Sequence, residues 1–169
     1  MNTVNEVMEN FLMADQFIKQ VFPNLDRLEL VVVGGASFLL KGFDNKFTLD
    51  IDTITQLDSD VLDYLESFSI NNASSEVITL SETYYERTVA LPSQCKVLDL
   101  RMLCNEDLVL AKVGRSKRSD IDDILETGIL YETNLELLNT IATELESKNY
   151  DNFKNKWEDF KRTVLYSFE

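Results

Sequence analysis

The stretch that decides the fold is residues 28–42, LELVVVGGASFLLKG, with residues 47–54, FTLDIDTI. Leu28 to Val33 is short, β-branched and apolar except for Glu29, the pattern of a buried strand. Gly34-Gly35 ends it, and Ala36 to Lys41 predicts a short helix closed by Gly42. Phe47 to Ile54 alternates, with Phe47, Leu49 and Ile51 on one side and Thr48, Asp50 and Asp52 on the other. On a strand the two aspartates sit about 6.7 Å apart and project together. Two neighbouring carboxylates repel unless a cation lies between them, and a hard divalent ion such as Mg²⁺ meets that need. Glycines at a strand-to-helix turn let phosphates approach backbone amides, and Ser37 adds a hydroxyl donor. A phosphate cradle with a metal-binding acid pair equips a chain for phosphoryl or nucleotidyl transfer, where positioning and charge neutralisation dominate.

A plainer reading stays open at this point. An Asp-x-Asp pair is also what the solvated face of a half-buried strand shows, and Gly-Gly after a strand is often only a turn. Other phosphate and metal motifs are missing: no GK[ST], no GxGxxG, and Ile54 spoils a calcium loop.

Working outward, apolar spacing predicts a helix over Val4–Phe22, stopped by Pro23, and a second from Ser59 to Phe68. Strand-like stretches follow at Glu76–Leu80, Arg87–Leu91 and Lys96–Leu100. Helices resume at Asn105, at Ser119 (with Asp122 imitating a capping box) and at Asn134. A last helix over Asp151–Phe168 buries Phe153, Trp157, Phe160, Val164 and Leu165. This order predicts an α/β (α+β) fold: a small mixed sheet with flanking helices and a C-terminal helical layer. The expectation is a single domain, with an α/β core over 1–130 and a helical extension over 131–169.

Composition narrows the chemistry. The chain has 169 residues, 44% of them hydrophobic, enough for one core. With 16 Lys and Arg against 30 Asp and Glu, the net charge is −14, which argues against non-specific DNA binding. There is no His, so imidazole bases and His-ligated zinc are excluded. Cys95 and Cys104 are too few for a four-thiolate zinc site and read as incidental thiols. The N-terminus lacks a signal-peptide pattern, and the longest apolar run, Leu30–Leu40, is too short to span a bilayer. The expectation is a soluble, cytoplasmic protein with no membrane contact.

GGASFLLKGF and FTLDID resemble the signature of the DNA polymerase β-like nucleotidyltransferase superfamily. The nearest likeness is to bacterial nucleotidyltransferase-like proteins related to AbiE-type abortive-infection and MenT toxins. Asn105-Glu106-Asp107-Leu108, with Lys112 four residues further on, is similar to a helix of those relatives, as are Arg115, Arg118 and Asp120 after it. The likeness covers roughly Leu30 to Leu125. It implies that Gly34, Gly35 and Ser37 line a triphosphate and that Asp50 and Asp52 hold Mg²⁺. It implies further that Lys112, with Arg115, neutralises phosphate and that Asp120 lies near the nucleotide. The superfamily's third carboxylate falls to Asp99, with Glu86 behind it. Without the upstream motif, Lys112, Arg115, Lys117 and Arg118 read better as partners of Asp120, Asp122, Asp123 and Glu126 than as a ligand site.

The resulting expectation is an Mg²⁺-dependent enzyme that moves a nucleoside monophosphate from a nucleoside triphosphate to a hydroxyl on RNA, tRNA among the candidates, or on protein. The resemblance implies a link to toxin–antitoxin or phage-defence systems and a cognate partner protein. The rival is a catalytically inactive nucleotidyltransferase-like module that acts through protein or nucleotide binding.

Overall fold

A computed structural model describes residues 1–43, 46–55, 58–72 and 78–168. Two compact units account for the chain, Met1–Glu76 with Thr88–Leu103, and Val77–Arg87 with Cys104–Glu169. One boundary between the units falls after the last strand, at residue 103, and the helices beyond it pack among themselves.

The first unit holds helices α1 (Val4–Val21), α2 (Gly34–Leu40) and α3 (Ser59–Glu66) and strands β1 (Leu28–Val33), β2 (Ile51–Ile54), β3 (Ile70–Asn72), β4 (Val89–Ala90) and β5 (Leu98–Met102). The strands form one mixed sheet in the order β3-β2-β1-β5-β4. β2 runs antiparallel to β1, β5 parallel to β1, β3 parallel to β2 and β4 antiparallel to β5. The fold class read from the sequence is the one observed.

α1 forms because Val7, Phe11, Ala14 and Ile18 recur at helical spacing, and all four are fully buried. Thr3 caps it, its hydroxyl accepting from the Glu6 N–H at 3.2 Å. This stripe joins Leu30 and Val32 of β1, Ala36 and Leu39 of α2, Ile51, Ile70, Leu98 and Leu100 in one core. Val31 and Val33, on the opposite face of β1, are buried too. Burial on both faces is why β1 is a continuous apolar run.

Asp15 is a charged residue on the inner face of α1, only 3% exposed. Its carboxylate accepts backbone N–H groups from Lys96 (2.9 Å), Val97 (2.8 Å) and Leu98 (2.8 Å), so it fixes the start of β5.

Three expectations about the strands need correcting. β2 begins at Ile51, not Phe47. Leu49 is 78% and Phe47 59% exposed while Thr48 is buried, the reverse of the alternation. The Thr48 hydroxyl donates to the Asp50 carbonyl at 2.7 Å, turning residues 47–50 into a bend. The sequence pattern also missed β3, whose three residues lean on β2. Around 76–80, Ile78–Leu80 is not a strand, and residues 76 and 77 lie outside the described residues.

The second unit holds α4 (Asn105–Arg115), α5 (Arg118–Thr127), α6 (Leu135–Lys148) and α7 (Phe153–Thr163). Asn134 caps α6, its side-chain oxygen accepting from the Leu137 N–H at 3.1 Å. α4 is capped by Cys104 instead of Asn105, and α5 by Lys117, two residues before Ser119. Phe153, Trp157 and Phe160 stack along one face of α7, their ring centroids 6.4 and 5.7 Å apart. That helix ends at Thr163, and a 3₁₀ turn carries Leu165 inward. Among the described residues no helix is long and apolar enough to cross a membrane.

Replacing Asp15 by Ala orphans three backbone donors at the edge of the core. The expected loss is about 3 kcal/mol in urea unfolding, with Asp15→Asn losing less because it keeps one acceptor oxygen.

Candidate active site

The site is built where β1 runs out. Val33 is the register partner of Asp52, and the chain turns at Gly34 with φ +64°, a left-handed conformation that only glycine adopts at little cost. A Cβ on Gly34 would lie 2.6 Å from Asp52 Oδ2. A Cβ on Gly35 would lie 3.0 Å from the Thr48 hydroxyl. Gly34 is therefore required by its backbone conformation and by the close approach of Asp52, while at Gly35 a side chain would press on Thr48.

Asp50 and Asp52 are joined by a residue that sequence reasoning overlooked. Asn71, on β3, is the register partner of Asp52, and its amide donates to Asp50 Oδ2 at 2.8 Å. Gly34, Gly35, Asp50, Asp52 and Asn71 thus form one local cluster, with both carboxylates only partly buried. Ser37 is placed differently. Its side chain is fully buried and its hydroxyl donates to the Val32 carbonyl at 2.8 Å, so it secures the hairpin from inside.

The sheet does not bring Asp99 to this cluster. On the face carrying Asp52, the register sets Asn71, Asp52 and Val33 in one row and Ile54, Val31 and Arg101 in the next. Asp99 pairs with Glu29 a row further on, about 13 Å along the strands from Asp52. There it takes a 2.7 Å hydrogen bond from Arg27 Nε. The register of β5 on β1 separates it from the pair. Glu86 sits exposed on a 3₁₀ turn of the second unit. Among the described residues, no group of three or more Asp, Glu, Cys or His side chains could hold a metal ion.

Lys112, Arg115 and Asp120 all belong to the second unit, where they hold one another. Lys112 Nζ lies 2.9 Å from Asp120 and 2.6 Å from Asp123, and Arg115 Nε donates to Asp120 at 2.8 Å. Lys112 is 5% exposed and Asp120 fully buried. Burial alone would push the Asp120 carboxyl up, but hydrogen bonds from Arg115 and Lys112 and their charges bring it below the usual carboxylate range. The Asp120 carboxylate also accepts from the Lys117 N–H at 3.2 Å, which closes the start of α5. The other acids of this motif are equally occupied. Glu106 accepts from the Asn134 N–H at 2.7 Å, and Asp107 takes a two-pronged contact from Arg87 at 2.8 and 2.9 Å. The Cys104 thiol, pushed up to about 12 by burial, stays protonated beside Asp107.

Gly34→Ala adds a methyl where Asp52 stands and strains a positive φ. The expected loss is about 2 kcal/mol by denaturant unfolding. Asp120→Asn leaves the buried Lys112 and the half-buried Arg115 under-neutralised, and about 3 kcal/mol of stability should go with it at pH 7. Because the folded-state pKa of Asp120 is depressed, its contribution is complete above the ordinary aspartate value and fades as pH falls through the folded one. The stability gap between wild type and Asp120→Asn should therefore narrow on acidification below about pH 4, followed by unfolding at a series of pH values.

No curated protein and no solved structure matches the chain. One family model does, over residues 9–165, and it is described as a nucleotidyltransferase of unknown function (DUF6036). Since that match takes in the hairpin, the acid pair and the helices after them, the chain belongs to this family of nucleotidyltransferases.

Proposed function

We propose that the chain is an Mg²⁺-dependent enzyme that transfers a nucleoside monophosphate from a nucleoside triphosphate to a hydroxyl on RNA, tRNA among the candidates, or on protein. The observation that carries this reading is the packing of Asp52 Oδ2 against Gly34, with Asp50 tied to the same cluster through Asn71. The residues fit the metal: two hard oxygen donors at a strand end are a common protein share of an Mg²⁺ site, water and substrate phosphate supplying the rest. Asp50 and Asp52 would hold the ion, which when bound neutralises charge on the phosphoryl group under attack. Asn71 orients Asp50, and Gly34-Gly35, with no side chains of its own, leaves room for Asp52 and Thr48 to pack against the turn. A role in a toxin–antitoxin or phage-defence system, alongside a cognate partner protein, is part of this proposal and rests on the resemblance of the sequence to toxin families.

One observation favours a non-catalytic nucleotidyltransferase-like module instead. The row beside Asp52 offers Ile54, Val31 and Arg101, where a third carboxylate would complete a polymerase-type site.

Transfer of label from each of the four α-³²P nucleoside triphosphates to total tRNA and to the protein itself decides between them. The enzyme labels an acceptor, loses the product with EDTA, and loses it in Asp50→Asn and Asp52→Asn while melting within a few degrees of wild type. A binding module shows thermal stabilisation by nucleotide and no labelled product. Equal labelling by wild type and both variants would overturn the assignment of the acid pair.

A further inference from the structure

Apart from the acid-bearing cluster, the first unit carries an apolar face that reaches solvent. Met13, Phe17 and Val21 recur every four residues on α1 and all are exposed. Tyr64 of α3, also exposed, meets Phe17 and Phe22 with ring centroids 5.5 and 5.6 Å away. Where α1 ends and α3 begins, the face opens into a groove of about 580 Å³ whose walls include Val21, Phe22, Leu25 and Val61. Single exposed apolar side chains are ordinary, but a contiguous face of them beside a groove marks a binding surface.

The rim of the groove is acidic. Asp58 and Asp60 line it, and Asp63 shares the exposed side of α3 with Asp60 and Tyr64, at the spacing of helical neighbours. Asp58 occupies the N-cap position of α3 yet makes no side-chain cap hydrogen bond. The basic residues of these segments do not offset the rim. Lys19, two residues from both Phe17 and Val21, falls about 200° around α1 from each. Arg27 is held by Asp99 and Glu29.

An apolar floor with an acidic rim selects its occupant. Nucleic acid and anionic lipid are repelled, and a second copy of this face would set its own carboxylates against the rim. A helix with apolar side chains along one side and lysine or arginine beside them satisfies both features at once. The row from Met13 to Val21, about 12 Å long, matches two turns of such a helix.

We infer that this face of the first unit docks a basic amphipathic helix of a partner protein, its apolar side chains in the groove and its cations against Asp58, Asp60 and Asp63. The inference goes beyond the nucleotidyltransferase reading and does not depend on it.

Fluorescence anisotropy of a labelled Leu/Lys peptide against the full chain tests it, the peptide being about 18 residues long, enough for a helix, with its leucines along one face. The peptide should bind wild type, and a scrambled Leu/Lys peptide should bind roughly tenfold more weakly. Val21→Ser should weaken binding by roughly fivefold through lost apolar contact, and Asp60→Lys by roughly as much through repulsion. Glu136→Lys, an equal charge change on α6, should leave binding within about twofold of wild type. Melting curves report folding; should Val21→Ser not fold, Met13→Ser takes its place. No binding of the Leu/Lys peptide to wild type would overturn the inference and leave the acid pair's role untouched. Equal weakening by Glu136→Lys and Asp60→Lys would overturn it as diffuse attraction, and equal binding of the scrambled peptide or by Val21→Ser would do the same. Wild type that sediments as a dimer, dissociated by Val21→Ser, would make a second copy the occupant and overturn it as well.

Discussion

The carboxylate of Asp52 rests against the backbone of Gly34 so closely that a single methyl group would collide with it. Much of the first unit serves that contact. β1 is buried on both faces, so its end is held firmly, and the antiparallel pairing of β2 sets Asp52 beside Val33. Thr48 packs on Gly35 and bends the chain ahead of β2, which brings Asp50 within reach of Asn71. The acids are thus arranged by backbone register and by two missing Cβ atoms. Such an arrangement is stiff, which is what a site that works by positioning requires.

The second unit spends its charges internally. Glu106, Asp107, Lys112 and Asp120, singled out by the resemblance read from the sequence, each hold another part of that unit. Buried ions of this kind add modestly to stability when complete and cost several kcal/mol when one partner is removed. They also confine the helices to one arrangement, since a shifted α5 would leave Lys112 and Arg115 facing each other without Asp120. A recurring motif can therefore mark a structural clasp as readily as chemistry. In this chain Lys112 and Asp120 have a demonstrable structural role.

The strand, the glycine turn and the helix after it were readable because each leaves a local trace: apolar on both faces, no Cβ at the turn, apolar again. α1 and the aromatic stripe of α7 were readable through helical spacing. β3 left no trace, because three residues, Ile70, Asn71 and Asn72, are too few to show an alternation and gain their conformation from tertiary contacts. Asn71 was hidden for the same reason, its role depending on a register that no short pattern encodes. Phe47–Asp50 misled because the alternation is real in the letters, yet the Thr48 hydroxyl and its fit against Gly35 turn the backbone the other way. Asp99 lies away from the pair because a strand places an acid on the right face without saying how far along, and the two readings of Lys112 stayed open because a lysine looks alike in a salt bridge and in a phosphate pocket.

The central claim is that Asp50 and Asp52 converge on one cation in front of the Gly34-Gly35 hairpin. A crystal structure of the protein grown with Mn²⁺ and a non-hydrolysable nucleoside triphosphate, with anomalous differences collected at the manganese edge, tests it most directly. The account predicts a peak in contact with oxygens of both carboxylates and of the phosphate chain. A peak elsewhere, or carboxylates turned away from a nucleotide that is plainly bound, would contradict it.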